Sequence, residues 1–331
     1  MTSFVILTMS GLTLASSNVY NFTTVVVSVL ETVAEELGLE EEEDEKSDRM
    51  HFYIRRTRKK INDIFSELGP HCTKRAYRMD SRSFWRLHCI LRPLLQGIRK
   101  EQGGGGGKNG LIDSELRLSA AIRYFAGGRP DGICLVHGMS HTEVFNSVWK
   151  VVDAVINCES LHIGYPTDHN KQKEIAKGFK AKSYAGFGTC VGAIDGMLIW
   201  TEKPHARDCG NSEVGARKFF CGRKKKCGLN LQAVCDSNRK FLDISILHPG
   251  TTADFLCFTT SSIGHKLDND PSFLAPGYCL FGDSAHVNTS HMATPFKGAR
   301  SGPKDDYNFY HSQVRINIEC AFGMFSTGGV Y

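Results

Sequence analysis

Between Val191 and Trp200 the chain reads Val-Gly-Ala-Ile-Asp-Gly-Met-Leu-Ile-Trp, with apolar side chains at odd and even positions alike. Strand alternation puts Val191, Ala193, Met197 and Ile199 on one face and Ile194, Leu198 and Trp200 on the other. An apolar run on both faces predicts a strand inside a sheet that is covered on both sides. Asp195 breaks the pattern on the first face. A carboxylate at such a depth needs a cation or must keep its proton; a metal ion is one such cation. The plainer alternative is that Asp195 caps a turn at Gly196.

The same texture continues downstream. Short apolar runs split by Gly and Pro predict strands at 229–235, 240–248 and 278–283, with helices near 253–264 and over 311–325. That mixed order predicts an α/β domain over 187–331. Upstream the period is helical. Phe84, Leu87, Leu91, Leu94 and Leu95 recur at helical spacing from Asp80, and Pro93 is expected to kink or end that helix. Residues 111–157 read as three helices. The first carries Leu116, Leu118, Ala121, Ile122, Tyr124 and Phe125, and a short second one spans Gly132 to His137. After the Gly138-Met139-Ser140 turn, Ser140 and Glu143 have capping-box spacing. The third helix then buries Val144, Val148, Val151, Val152 and Val155. Helix, short helix, glycine turn and long helix outline a helix-turn-helix-like unit over 111–160, with the third helix as the DNA reader. Its polar face offers Thr142, Asn146, Ser147 and Lys150. The alternative is a helical subdomain that only packs on its neighbour.

Charge divides the N-terminal part. Residues 1–46 read as an appendage, disordered or partly helical: Val25 to Leu39 has a helical period and runs into the acidic stretch Glu40 to Glu45. Residues 47–102 form a basic helical segment that opens with Arg55-Arg56-Thr57-Arg58-Lys59-Lys60, which suits a nuclear import signal, a phosphate-contacting patch or an exposed helix face. Five glycines, Gly103 to Gly107, make 103–110 a flexible linker; a phosphate loop would need a strand before it and Lys-Ser/Thr after it. The net charge of +5 permits an anionic partner without requiring one. The 12 cysteines are scattered with no C-x-x-C pair, against a zinc or disulfide framework and in favour of a reducing compartment. No secretory signal and no run of 18 apolar residues is found, so no membrane span is expected.

Three acids stand out: Asp195 within its strand, Asp283 at the end of Tyr278-Cys279-Leu280-Phe281-Gly282, and Glu319 beside the helical stripe Val314, Ile318, Ala321 and Phe322. Thirty-five residues separate Asp283 from Glu319. Hard oxygen ligands suit Mg²⁺ or Mn²⁺. Two such ions about 4 Å apart can activate a water or a 3′-hydroxyl and steady the leaving oxygen of a phosphodiester.

Five words in order carry a resemblance: Gly192-Ala193-Ile194-Asp195-Gly196; Gly228-Leu229-Asn230-Leu231-Gln232-Ala233-Val234-Cys235-Asp236; Pro249-Gly250-Thr251-Thr252-Ala253-Asp254; Gly282-Asp283-Ser284-Ala285; and Arg315-Ile316-Asn317-Ile318-Glu319-Cys320-Ala321-Phe322-Gly323. Over roughly residues 75–323 the chain resembles the PIF/Harbinger DDE transposases and their domesticated relatives. The resemblance implies an RNase H-like mixed sheet with flanking helices, preceded by the helical unit. It implies a metal-dependent DNA endonuclease that cuts and joins transposon ends in the nucleus. Asp195, Asp283 and Glu319 would be its catalytic triad and the ligands of Mg²⁺ or Mn²⁺, with a Myb-like partner protein sharing DNA recognition and oligomers left open. Two positions depart from the pattern. The chain stops at Tyr331, where the family continues into Leu-Lys and a basic run, and Met197-Leu198 replaces a more polar pair. They keep a second reading open: a domesticated, truncated or catalytically impaired relative that binds DNA or chromatin proteins without cutting. A purely helical interaction protein would require that 187–325 form no sheet.

Other positions have two readings each. Asp254 caps the next helix or supports the metal site. Arg217, Arg223, Lys224, Lys225 and Lys226 contact a DNA backbone or line a solvated loop. Asp236 starts the Ser237-Asn238 turn. His205, His286 and His291 are expected to be polar surface.

Overall fold

The computed structural model describes residues 56–96, 112–205, 215–222 and 224–326. The appendage 1–46 with its 25–39 helix, the glycine linker 103–110, Arg55 and Arg223 lie outside them.

Residues 56–162 form a helical unit. It contains α1 (Ile61–Tyr77), α2 (Ser81–Gln96), α3 (Ser114–Phe125), α4 (Pro130–His137) and α5 (His141–Ile156). Helix α1 is kinked at Gly69, which precedes Pro70. Helix α2 runs through Pro93 instead of ending there, because the missing N–H falls in the last turn, where only one helical bond is lost. Helix α4 starts two residues earlier than expected, with Pro130 in the first turn, where its absent N–H costs nothing. The capping box is present: Glu143 N donates to Ser140 Oγ at 3.2 Å and Ser140 N donates to Glu143 Oε2 at 2.7 Å. Ser147, placed on the polar face by its spacing, is buried and donates to Glu143 O. The turn before α5 needs glycine at 138, where φ is +63° and a Cβ would stand 2.3 Å from Thr57 O. Phe65 meets Tyr77 and Phe84 edge to face at 5.1 and 5.0 Å. A buried polar chain crosses this core. His137 Nδ1 lies 3.0 Å from the Ile133 carbonyl, which only accepts, so Nδ1 carries the proton. Nε2 then accepts from Ser119 Oγ at 2.8 Å, and Ser119 accepts from Tyr77 at 2.9 Å. Burial holds His137 down at a pKa of about 4.

Residues 163–323 form an α/β unit. In chain order it has α6 (His169–Lys182), β1 (Cys190–Thr201), β2 (Phe220–Cys221), β3 (Lys226–Cys235), β4 (Phe241–Pro249), α7 (Asp254–Thr259), α8 (Ser262–Asn269), β5 (Cys279–Phe281), β6 (Met292–Ala293) and α9 (Pro303–Ser326). Strand β1 is central. It pairs antiparallel with β3, which pairs antiparallel with β4, and parallel with β5, which pairs parallel with β6. The short β2 adds to the start of β3. The sheet rules out the purely helical alternative.

The expected helix at 253–264 is two helices, because Ser261 starts a new one by accepting from Gly264 N. Helix α9 begins at Pro303, a full two turns before the expected start. Helix α6 has no counterpart in the sequence reading. One of its three buried positions is polar, Gln172 beside Ala176 and Phe179. Gln172 spends its amide on the backbone of Phe273 and Ala275.

A bulge corrects the face assignment in β1. Between Cys190 and Ala193 the register against β5 slips by one residue. Val191 therefore joins Ile194, Val234, Leu242 and Leu280 in one core with Ala176, Phe258, Ile263 and Leu267 from α6, α7 and α8. The opposite face carries Ala193 and Asp195 and is covered by α9, where His311 stacks on Phe281 at 4.8 Å and Phe322 packs near Phe241.

Candidate active site

Asp195 sits at the middle of β1, on the face under α9. Its neighbour Gly196 faces the other way, where a Cβ would come within 2.4 Å of Gln232 Nε2 and 2.6 Å of Asp254 Oδ1. Asp195 Oδ1 accepts from the Gly196 amide at 2.8 Å, so Asp195 is anchored by its own strand. Its Oδ2 accepts from Arg315 Nη1 at 2.7 Å. One turn further along α9, Glu319 Oε1 accepts from Arg315 Nη2 at 2.5 Å. A single guanidinium thus bridges a strand acid and a helix acid. Asp283 follows β5, where Gly282 ends the ladder. Its Oδ1 accepts from Ala285 N and from His286 Nδ1, both at 2.9 Å.

Asp195 feels the charge of both other acids. Burial raises the Asp195 pKa; the Gly196 amide and Arg315 oppose this, and the charges of Asp283 and Glu319 add to it. Asp283 is held low, first by its hydrogen bond from His286. Asp195 and Arg315 each keep 20% of their side-chain surface exposed and Glu319 keeps 50%, so the pairs are partly screened.

In kind, this donor set fits a hard divalent cation: three carboxylates face one guanidinium, leaving net negative charge. In arrangement, no three His, Cys, Asp or Glu side chains among the described residues stand close enough to share an ion. Arg315 lies between two of the donors, and Asp283 is turned to His286.

The structure separates Asp254 from this group. It lies across the sheet, over Gly196, and its Oδ1 accepts from Asn230 Nδ2 and Gln232 Nε2, each at 2.9 Å. The helix cap is Ala253, not Asp254. The geometry thus departs from both expectations for this residue. Asp236 does start its turn, accepting from Asn238 N and Lys240 N. Arg217, Lys224, Lys225 and Lys226 are exposed, and Lys226 Nζ stands 5.7 Å from the Trp200 ring, itself 37% exposed. Asn146 is exposed on α5, with Lys150 half-buried one turn on.

Two residues were missed. Arg315 belongs to the motif around Glu319, and its spacing four before that acid is the signal for its role. His286, expected at the surface, is buried, with its Nδ1 on Asp283. The i, i+3 spacing after a strand-ending acid was the only hint.

An antiparallel meander of three strands extended by two parallel ones, with a helix bringing an acid over the central strand, defines an RNase H-like domain. Residues 194–327 match the family described as DDE superfamily endonuclease. Protein ALP1-like of Arabidopsis thaliana is 25% identical over 210 residues, which cover 60% of this chain and 49% of that protein. Over the α/β unit the chain is thus similar to DDE superfamily endonucleases, and it is similar to a transposase-related protein. It spans about half the length of the curated relative it matches. No solved structure matches the chain. No helix among the described residues is long and apolar enough to cross a membrane.

Proposed function

We propose that the α/β unit binds DNA and cleaves or transfers phosphodiester bonds, using Mg²⁺ or Mn²⁺ held by Asp195, Asp283 and Glu319. The observation that carries this reading is the electrostatic coupling of these acids, from β1, the end of β5 and α9, around one arginine. Bound ions of this kind activate an attacking oxygen and stabilise a leaving one. The chain's own part is positional. The Gly196 amide fixes Asp195 Oδ1, and His286 with the Ala285 amide fixes Asp283 Oδ1. The exposed Arg217, Lys224, Lys225 and Lys226 neutralise phosphates, with Arg223 from the same run, and Trp200 gives a ring on which a base can stack. Asn146 and Lys150 on α5 would contact DNA from the helical unit. A nuclear location and a Myb-like partner protein enter this reading through the family resemblance alone.

The test is nicking of supercoiled plasmid with Mg²⁺ or Mn²⁺. The expected result is metal-dependent nicking that Asp283→Ala abolishes while the circular dichroism spectrum is kept. A second reading, a DNA- or chromatin-protein-binding module that does not cut, is favoured by the absence of a ready three-acid group among the described residues. It predicts salt-sensitive DNA binding with no nicking in either metal.

A further inference from the structure

We infer that Arg315 is the resident cation of the carboxylate site and that a divalent ion enters by displacing it. The inference rests on the reading of Asp195 and Glu319 as metal ligands and adds a residue that sets how tightly they bind.

Four observations converge on it. The guanidinium gives one nitrogen to Asp195 Oδ2 and the other to Glu319 Oε1, so it holds an oxygen of each of the two acids. The remaining Asp195 oxygen is spent on the Gly196 amide, which leaves Oδ2 as the oxygen free to change partners. Among the described residues, the only side-chain hydrogen bonds of Arg315 are to these two carboxylates. Its side chain can therefore leave without breaking a third hydrogen bond and without moving α9, since Arg315 and Glu319 share one face of that helix. Asp283 takes no hydrogen bond from Arg315 and is held by Ala285 and His286, so it stays in place during the exchange.

The physical logic is a competition for the same oxygens. Charge-assisted hydrogen bonds are among the stronger polar contacts in proteins, and a metal ion must overcome two of them here. In the metal-free chain Arg315 keeps two acids from repelling each other. When a divalent ion arrives, it brings twice the charge to the same place and the guanidinium is released. Arg315 is thus a positioning residue: it holds the ligands in register and weakens metal binding by a fixed factor. A permanent structural tie would instead lose metal affinity when broken, because the ligands would scatter.

The two ideas separate in a Mn²⁺ titration of the full 331-residue chain, read by calorimetry and by melting temperature with and without the ion. Arg315→Gln should melt lower without metal, bind Mn²⁺ about a hundredfold more tightly and gain more from the ion, since two charged hydrogen bonds leave the competition and each is worth about tenfold. Arg315→Lys keeps a cation that cannot bridge both acids and should fall between wild type and Arg315→Gln; it also serves if the glutamine variant does not fold. Asp195→Asn should abolish binding. If Asp195→Asn abolishes Mn²⁺ binding but both Arg315 variants, folded, bind no more tightly than wild type, Arg315 is a structural tie and the inference is wrong. If neither wild type nor the Arg315 variants bind Mn²⁺, the metal reading itself fails and takes the inference with it.

Discussion

Consecutive residues of β1 serve two acids in opposite ways. On one face, Asp195 is balanced by a full positive charge from Arg315. On the other, Asp254 lies over Gly196 and is satisfied by the neutral side-chain amides of Asn230 and Gln232. The amides are linked to one another, since Gln232 Nε2 also donates to Asn230 Oδ1 and Asn230 Nδ2 to Thr252 O, while the buried Gln232 Oε1 has no partner. An acid satisfied by amides has no use for a second cation. An acid satisfied by a cation can trade it for another. Asp243 on β4 shows the third case: burial pushes its pKa up to about 6, with only the Lys266 charge opposing. The contrast teaches that burial of a carboxylate does not mark a reactive site; the replaceability of its partner does.

The contrast can be broken most decisively at Asp195. Asp195→Asn is expected to lower metal-dependent nicking by a factor on the order of 100 or more, because it removes a charge that no neighbour replaces. Nicking at wild-type rates would end the catalytic assignment. A pH titration of the helical unit should show the next largest effect, about 3 kcal/mol. His137 has a folded pKa of about 4 against an ordinary 6.5, so the unfolded chain takes up the proton first. Stability is complete above pH 6.5 and falls as pH drops toward 4. Amide exchange within α5 should accelerate over that window; unchanged protection would show that the buried chain from Tyr77 to His137 does not carry this load. Asp254→Ala should cost about 1–3 kcal/mol, since Asn230 and Gln232 each lose an acceptor. It should leave Mn²⁺ affinity at Asp195 unchanged, and a loss of binding would erase the distinction between the two faces. The smallest effect belongs to the loop. Lys225→Gln with Lys226→Gln should weaken DNA binding several-fold and reduce the salt dependence by about two counterions, which filter binding at several salt concentrations would measure.

The elements that were legible in the sequence carry their own signal. Strand β1 was readable because apolar residues fill both faces, and the cap of α5 because Ser140 and Glu143 have a fixed spacing. The bulge at Val191 was not readable, since a one-residue slip leaves no trace in composition yet reverses the face of what precedes it. Helix α6 was hidden because Gln172 occupies a core position with a polar side chain. The site was half readable. Acids can be found by their odd placement in apolar runs, whereas the roles of Arg315 and His286 depend on which acid the fold sets beside them. Asp254, read as a helix cap or a support for the metal site, does neither because the sheet lies between it and Asp195 and its amide partners come from β3.

The tie between Asp195 and Arg315 spans 120 residues of chain. At about 5–20 residues per second of synthesis, the aspartate is made roughly 6–24 s before its arginine exists. Through that interval the central strand must fold with an unmatched charge or wait. The nascent chain therefore has an open carboxylate on β1 until α9 is made.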